Sequence, residues 1–345
     1  DIGTYRMQSD GALQPGARVK AGDIVGPLAV SPDRRFLYAA TRSKPCSVWV
    51  YAIDPGTGAL APRSVSPLAE SFPYISLDKT GRYLFGASYH AHLISVNAVG
   101  ADGSVAAPPL QLIPVGRNAH SIRTDESNRY VFVPTLGNDL MFQFSFDAST
   151  GRLCSNTPAV VQLQPGTGPR HFVTSADNKF MYVLSELLAT VTTFALDART
   201  GLLTEIGLAS GLPPDTKLVP GAPRVAVGAA VAGPSPNRER SIWAADIHLT
   251  PDGRFLYISE RTGSTLGAFS VNAETGKLTY LGSTPTESQP RGFAIAPNGG
   301  FLVACGEKSD TISVYAIDQA SGALSLPRKY PGGKGANWVE IVSFA

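Results

Sequence analysis

Two arginine–glutamate pairs in this chain share one spacing: Arg170 and Glu186 lie sixteen residues apart, and so do Arg291 and Glu307. His120 with Leu136, and Ala245 with Arg261, repeat it. Arginine offers a planar fork suited to bidentate capture of a carboxylate or phosphate. Histidine or glutamate can act as a base toward water, and a guanidinium can face a developing oxyanion. The set reads as acid–base chemistry on an anionic substrate. His171 and Asp246 directly follow Arg170 and Ala245, and His248 lies two residues beyond Asp246. The bland alternative makes each Arg–Glu pair a brace between neighbouring strands. Charge concentrated on a narrow channel is costly unless paired or used, so the cluster as a whole favours a pocket.

The elements that would gather these residues are strands. Six segments share a pattern of short apolar strand, polar turn, second apolar strand, and alternating strand ending in a glycine turn. Examples are PLAVSPDRRFLYAATR with SVWVYAIDPGTGAL, and ADIHLTPDGRFLYISER with LGAFSVNAETGKL. The aromatic opening each second strand is Phe36, Tyr83, Tyr130, Phe180, Phe255 or Phe301, at steps of 47, 47, 50, 75 and 46. Turn residues of the Pro-Asp-Gly and Thr-Gly types support tight hairpins, and Val, Ile, Tyr and Phe fill the strands. The one long step holds a Pro/Gly-rich insertion, placed at about 204–242. A period near fifty predicts an all-β, seven-bladed β-propeller with four-stranded antiparallel blades, a single domain over residues 1–345.

The seventh blade is expected to be split. ANWVEIVSFA resembles a first strand, and IGTYRM with SDGAL a third strand and its turn. The missing second strand is expected just before Asp1, and the two termini sharing one blade would close the ring. In every blade the first strand runs along the central channel and the second returns beside it. The opening and closing residues therefore reach the same rim: Gly26 with Arg42, Pro73 with Tyr89, and the four pairs above. The seventh blade contributes near Asn337. Acid–base groups crowd onto the third to sixth blades.

Composition narrows the function. The formal charge is +2 with scattered Lys and Arg, which leaves no footprint for nucleic acid. No run of eighteen apolar residues exists to cross a membrane. Cys46, Cys154 and Cys305 are far apart, which reads as reduced thiols and an expected cytoplasmic location. GxSxG, HExxH, Walker A, GxGxxG and CxxC are all absent, so no metal and no cofactor are expected. His90 and His92 read as polar surface residues.

The runs WAADIHLTPDGRFLYISERTGS, TESQPRGFAIAPNG, GEKSDTISVY and GPRHFVTSADNKFMYVLSE resemble the lactonase-type seven-bladed propeller family. That family includes 6-phosphogluconolactonases and 3-carboxy-cis,cis-muconate lactonizing enzymes. Carried over residue by residue, the resemblance implies His120, Arg170, Glu186 and Arg261 as catalytic, and highlights Asp246, His248 and Arg291 in the pocket. Glu307 and His171 join these as substrate-binding candidates. The insertion before Trp243 departs from the family and enters the rim at the fifth blade. The expected function is hydrolysis of a sugar-acid lactone by a monomer whose partner is a small anionic lactone or sugar acid. A muconate-type cyclase would use the same pocket. A non-enzymatic interaction platform would not need the enriched rim.

Overall fold

Long apolar second strands dictate the architecture. FLYAAT, YLFGAS, YVFVPT, FMYVLS and FLYISE are each buried at all six positions, because both faces of the strand are covered by neighbouring sheets. The computed structural model describes residues 1–224 and 239–344. Six four-stranded antiparallel sheets follow one another along the chain, and each keeps its strands in sequence order. The innermost strands are β3 (Val25–Val30), β7 (Tyr74–Leu77), β11 (Arg123–Thr124), β15 (Pro169–Thr174), β19 (Ala244–Leu249) and β23 (Pro290–Ile295). Hydrophobic clusters lie between sheets: Tyr182 and Leu184 of the fourth blade pack with Ile247 and Ile258 of the fifth. Inner strands are also stitched across blades, with Ser76 Oγ donating to Ile122 O at 2.6 Å and Ser121 Oγ to Arg170 O at 2.8 Å.

One contact repeats at six outer turns, though not at Gly58 of the first blade, which has nothing within 4 Å. The aromatic that opens each second strand lies under the glycine of the next blade's outer turn. Phe36 meets Gly103, Tyr83 meets Gly151, Tyr130 meets Gly201, and the series runs on to Phe301 beneath Gly11. Gly103 has φ +84°, and a Cβ there would stand 2.7 Å from the Phe36 ring, so both conformation and space demand glycine. Gly11 belongs to the hairpin of β1 (Ile2–Met7) and β2 (Leu13–Val19). Its seat on Phe301 makes that hairpin the outer half of the blade after the sixth.

The split seventh blade is thus present in its outer half, but the C-terminal expectation is corrected. Residues 332–344 form no strand, although Val339 and Ile341 pack against Val303 and Ile312, and Phe344 packs near Leu37. This segment and β1 both line a cavity of about 870 Å³, and among the described residues no strand pairs with the segment. The insertion boundary is corrected as well. Thr204–Ser210 belong to β18 (Leu202–Ser210), the outer strand of the fourth blade, paired with β17 (Thr190–Asp197). The inserted connection therefore starts after Ser210, and its residues 225–238 lie outside the described residues.

Four of the six inner strands carry a bulge at their rim end. The register shifts between Val25 and Leu28, Pro169 and His171, Ala244 and Ile247, and Pro290 and Gly292. A bulge adds one residue to one strand, bends it and re-aims side chains. It falls on Arg170, Asp246 and Arg291, the residues singled out for chemistry.

Candidate active site

The rim assembles as the hairpin spacing predicted. Arg170 Nε donates to Glu186 Oε2 at 2.7 Å, and Arg261 Nη2 stands 3.3 Å from the same oxygen. Trp243 Nε1 donates to Glu186 Oε1 at 3.1 Å. His120 Nε2 lies 4.0 Å from Glu186 Oε2. Glu186 is thus a hub with both oxygens engaged. Arg170 and Arg261 are 1% and 2% exposed, so this is a desolvated cluster rather than a surface ion pair. Further round the rim, Arg291 Nη1 approaches Glu307 Oε1 at 3.3 Å, and both side chains are more open to solvent. The strand-brace reading of the two Arg–Glu pairs is geometrically correct, and the cluster surrounds it with more.

Local chemistry explains each placement. Arg261 directly follows the fifth blade's second strand, and its Nε and Nη2 donate to the carbonyls of Trp243 and Ala244, both at 3.0 Å. Its guanidinium also lies 3.6 Å from the Trp243 ring centroid. Arg170 Nη1 donates to Ala245 O, tying the fourth blade to the fifth. His120 sits edge-on to Tyr89 and His171, with ring centroids 5.7 and 5.1 Å away, and its buried Nδ1 has no hydrogen-bond partner.

Electrostatics follow from burial among cations. Burial first, then Arg170, His171, Arg291 and Arg261, hold His120 well below the ordinary histidine range, so it is a neutral imidazole at neutral pH. Burial and Arg170 hold His171 down to about 3 despite its bond to Asp246. Burial lowers Arg170 to about 10, with Glu186 pulling the other way, and it stays cationic. Burial and Arg291 also lower Arg42, whose Nε is buried without a partner. Arg42, Arg170, Arg261 and Arg291 outnumber the carboxylates of Glu186, Glu307 and Asp246 around them, an excess that favours an anion.

Three expected site residues sit deeper. His171, Asp246 and His248 together line a cavity of about 260 Å³, which Tyr74, Arg123 and Trp338 also border. Several partners escaped the sequence reading. Trp243, in the irregular connection before its strand, holds Glu186 and stacks on Arg261. Leu187 is another, and it forms an apolar patch beside His120 with the expected rim residues Tyr89 and Leu136. The described part of the insertion crosses this patch, with Gly221 N donating to Leu187 O and Arg224 N to Tyr89 Oη at 3.1 Å. His92 is bound into a turn, its Nδ1 accepting from Asn118 N at 3.0 Å.

A buried neutral histidine in an arginine-rich rim of a propeller fits acyl chemistry on an anion, and comparison with known proteins decides the family. Residues 1–341 match the family described as "Lactonase, 7-bladed beta-propeller". This chain belongs to that lactonase family. The 6-phosphogluconolactonase of Serratia proteamaculans is 38% identical over 99% of this chain and 96% of its own length. That of Pectobacterium carotovorum is 36% identical over 99% and 95%. Among solved structures, the periplasmic gluconolactonase of Pseudomonas aeruginosa superposes with a TM-score of 0.82 at 28% identity, covering 96% of this chain and 92% of that one. The expectation of a lactone-hydrolysing enzyme on a propeller is borne out, and a small sugar lactone is the substrate class that these relatives imply. No helix among the described residues is long and apolar enough to cross a membrane.

Proposed function

We propose that this lactonase hydrolyses a phosphorylated sugar lactone, of the 6-phosphogluconolactone type, at the rim built by His120, Arg170, Glu186 and Arg261. The observation that carries the reading is His120: neutral, buried, with an unpartnered ring nitrogen, and ringed by guanidinium groups. His120 takes a proton from the attacking water as oxygen bonds to the lactone carbonyl carbon. The carbonyl oxygen gains negative charge, which the field of Arg170 and Arg261 stabilises. When the ring C–O bond breaks, the protonated imidazole returns its proton to the departing alkoxide oxygen. Glu186 is held by two arginines and a tryptophan, and acts as their anchor rather than as the base.

Arg291, with Glu307 beside it, is the more accessible cation and suits the substrate's distal anion. A bound anion also offsets the arginine field on His120 and makes it a stronger base at the moment it is needed. The excess of arginine favours the phosphorylated lactone over its uncharged counterpart. The free, widely separated cysteines support a reducing, cytoplasmic setting. The test is base consumption at constant pH with 6-phosphogluconolactone and δ-gluconolactone, for wild type and His120→Ala. Turnover of the phosphorylated lactone well above the uncatalysed rate, lost in the variant, is expected. No turnover of either lactone would refute the reading.

A further inference from the structure

Behind the rim a hydrogen-bonded chain crosses the ring. Arg170 Nη1 meets His171 Nε2 at 3.0 Å, His171 Nδ1 meets Asp246 Oδ1 at 2.9 Å, and Asp246 Oδ2 meets His248 Nε2 at 3.2 Å. Consecutive residues of a regular strand leave on opposite faces. The bulge between Pro169 and His171 is what lets Arg170 and His171 touch. We propose that His171, Asp246 and His248, expected from sequence to bind substrate, instead form a positioning relay that fixes the Arg170 guanidinium for the lactonase reaction.

Donor and acceptor rules give the relay its direction. A guanidinium has donors only, so His171 Nε2 must accept and its proton must sit on Nδ1, which donates to Asp246. On its other oxygen Asp246 accepts from His248 Nε2–H and from Phe293 N. Ile247 N completes four donors around one carboxylate, so only an ionised acceptor fits there. Without that acceptor nothing holds the His171 proton on Nδ1. The other tautomer would turn an N–H against Arg170. Tyr74 and Trp338 pack round the His171 ring, and Phe293 packs on the His248 ring 4.7 Å away, so neither imidazole is held by polar contacts alone. All three relay side chains line the cavity of about 260 Å³, and His248 is one-third exposed against 5% for His171, so the relay opens to solvent at its His248 end.

This inference rests on the catalytic reading of Arg170, and the experiment separates the two. Lactone hydrolysis is measured for Asp246→Asn, Arg170→Lys and the double variant, with folding checked by circular dichroism and thermal midpoint. Asp246→Asn is expected to lower kcat about 10–100-fold with little change in KM, the scale of loss for a misplaced catalytic group. In the Arg170→Lys background the same change is expected to cost less than about twofold, because the relay has nothing left to position. Independent, multiplying losses, or wild-type kcat in Asp246→Asn, would overturn the relay. Wild-type kcat in Arg170→Lys would overturn the catalytic reading itself, and the relay with it. Should Asp246→Asn fail to fold, His248 decides. Gln, whose amide keeps an N–H toward Asp246, should retain kcat and Leu should lose it, and equal values for the two would overturn the proposal.

Discussion

His120 Nε2 stands 4.0 Å from Glu186 Oε2, beyond hydrogen-bonding distance, while the same oxygen is 2.7 Å from Arg170 Nε. Glu186 is therefore committed to the arginines, and His120 is left unengaged. Glu186→Gln keeps the shape and removes the charge that Arg170 and Arg261 share. Breaking a buried ionic group by removing one partner costs about 3–5 kcal/mol, and a loss of that size is expected in urea unfolding. A loss under 1 kcal/mol would show that Glu186 does not anchor the pair.

The low proton affinity of His120 sets a pH dependence. Its acid limb in kcat/KM, which reports the free enzyme, is expected below the ordinary histidine range. In kcat the limb should lie higher, because a bound anion offsets the arginine field. Rate profiles from pH 4 to 8 on a phosphorylated lactone check both limbs. Coincident limbs at the ordinary histidine value would contradict the buried, cation-flanked imidazole.

Stability carries a related signature. His171 titrates at about 3 in the fold and near 6.5 when unfolded, so between those values the unfolded chain holds the extra proton. Stability therefore rises with pH across that window, by about 1.4 kcal/mol per unit for this group, and is lost as pH falls. Replacing His171 with Gln should flatten the slope in denaturant titrations between pH 4 and 6.

The ring contact between aromatic and glycine can be weighed by comparing two turns. Gly103 and Gly253 have similar positive φ, but only Gly103 has a ring 2.7 Å from its would-be Cβ, and Gly253 has nothing within 4 Å. Gly253→Ala should cost only the backbone strain, about 1 kcal/mol, and Gly103→Ala clearly more, as overpacking adds about 1–3 kcal/mol. Equal thermal shifts for the two would show that the aromatic yields freely.

Arg291 is assigned the distal anion, so Arg291→Ala should separate the two lactones. Losing a charge-assisted contact of about 1.5–3 kcal/mol should lower kcat/KM for the phosphorylated lactone about 10–100-fold. The unphosphorylated lactone should change little. An equal loss on both would place Arg291 elsewhere in the reaction.

Much of this was legible because propeller repeats make positions equivalent. Aligning Phe36 to Phe301 located six blades, and the sixteen-residue offset named the Arg170–Glu186 and Arg291–Glu307 pairs that the structure closes. What stayed hidden depends on contacts outside the repeat. ANWVEIVSFA has strand composition, yet a strand exists only with a ladder partner, and none pairs with it among the described residues. Trp243 precedes its strand in an irregular connection, so no equivalent position pointed to it. The family resemblance groups His248 with the substrate, and the sequence shows only its step from Asp246. The bulge that turns Asp246 and the cavity that Asp246 lines are not visible there.

The most direct test of the account is the hydrolysis of 6-phosphogluconolactone by His120→Ala under conditions where wild type turns over. A loss of at least about 100-fold in kcat, the usual contribution of a general base, with an unchanged thermal midpoint is the predicted result. Wild-type turnover by a folded His120→Ala protein would contradict the assignment of the rim as the catalytic centre.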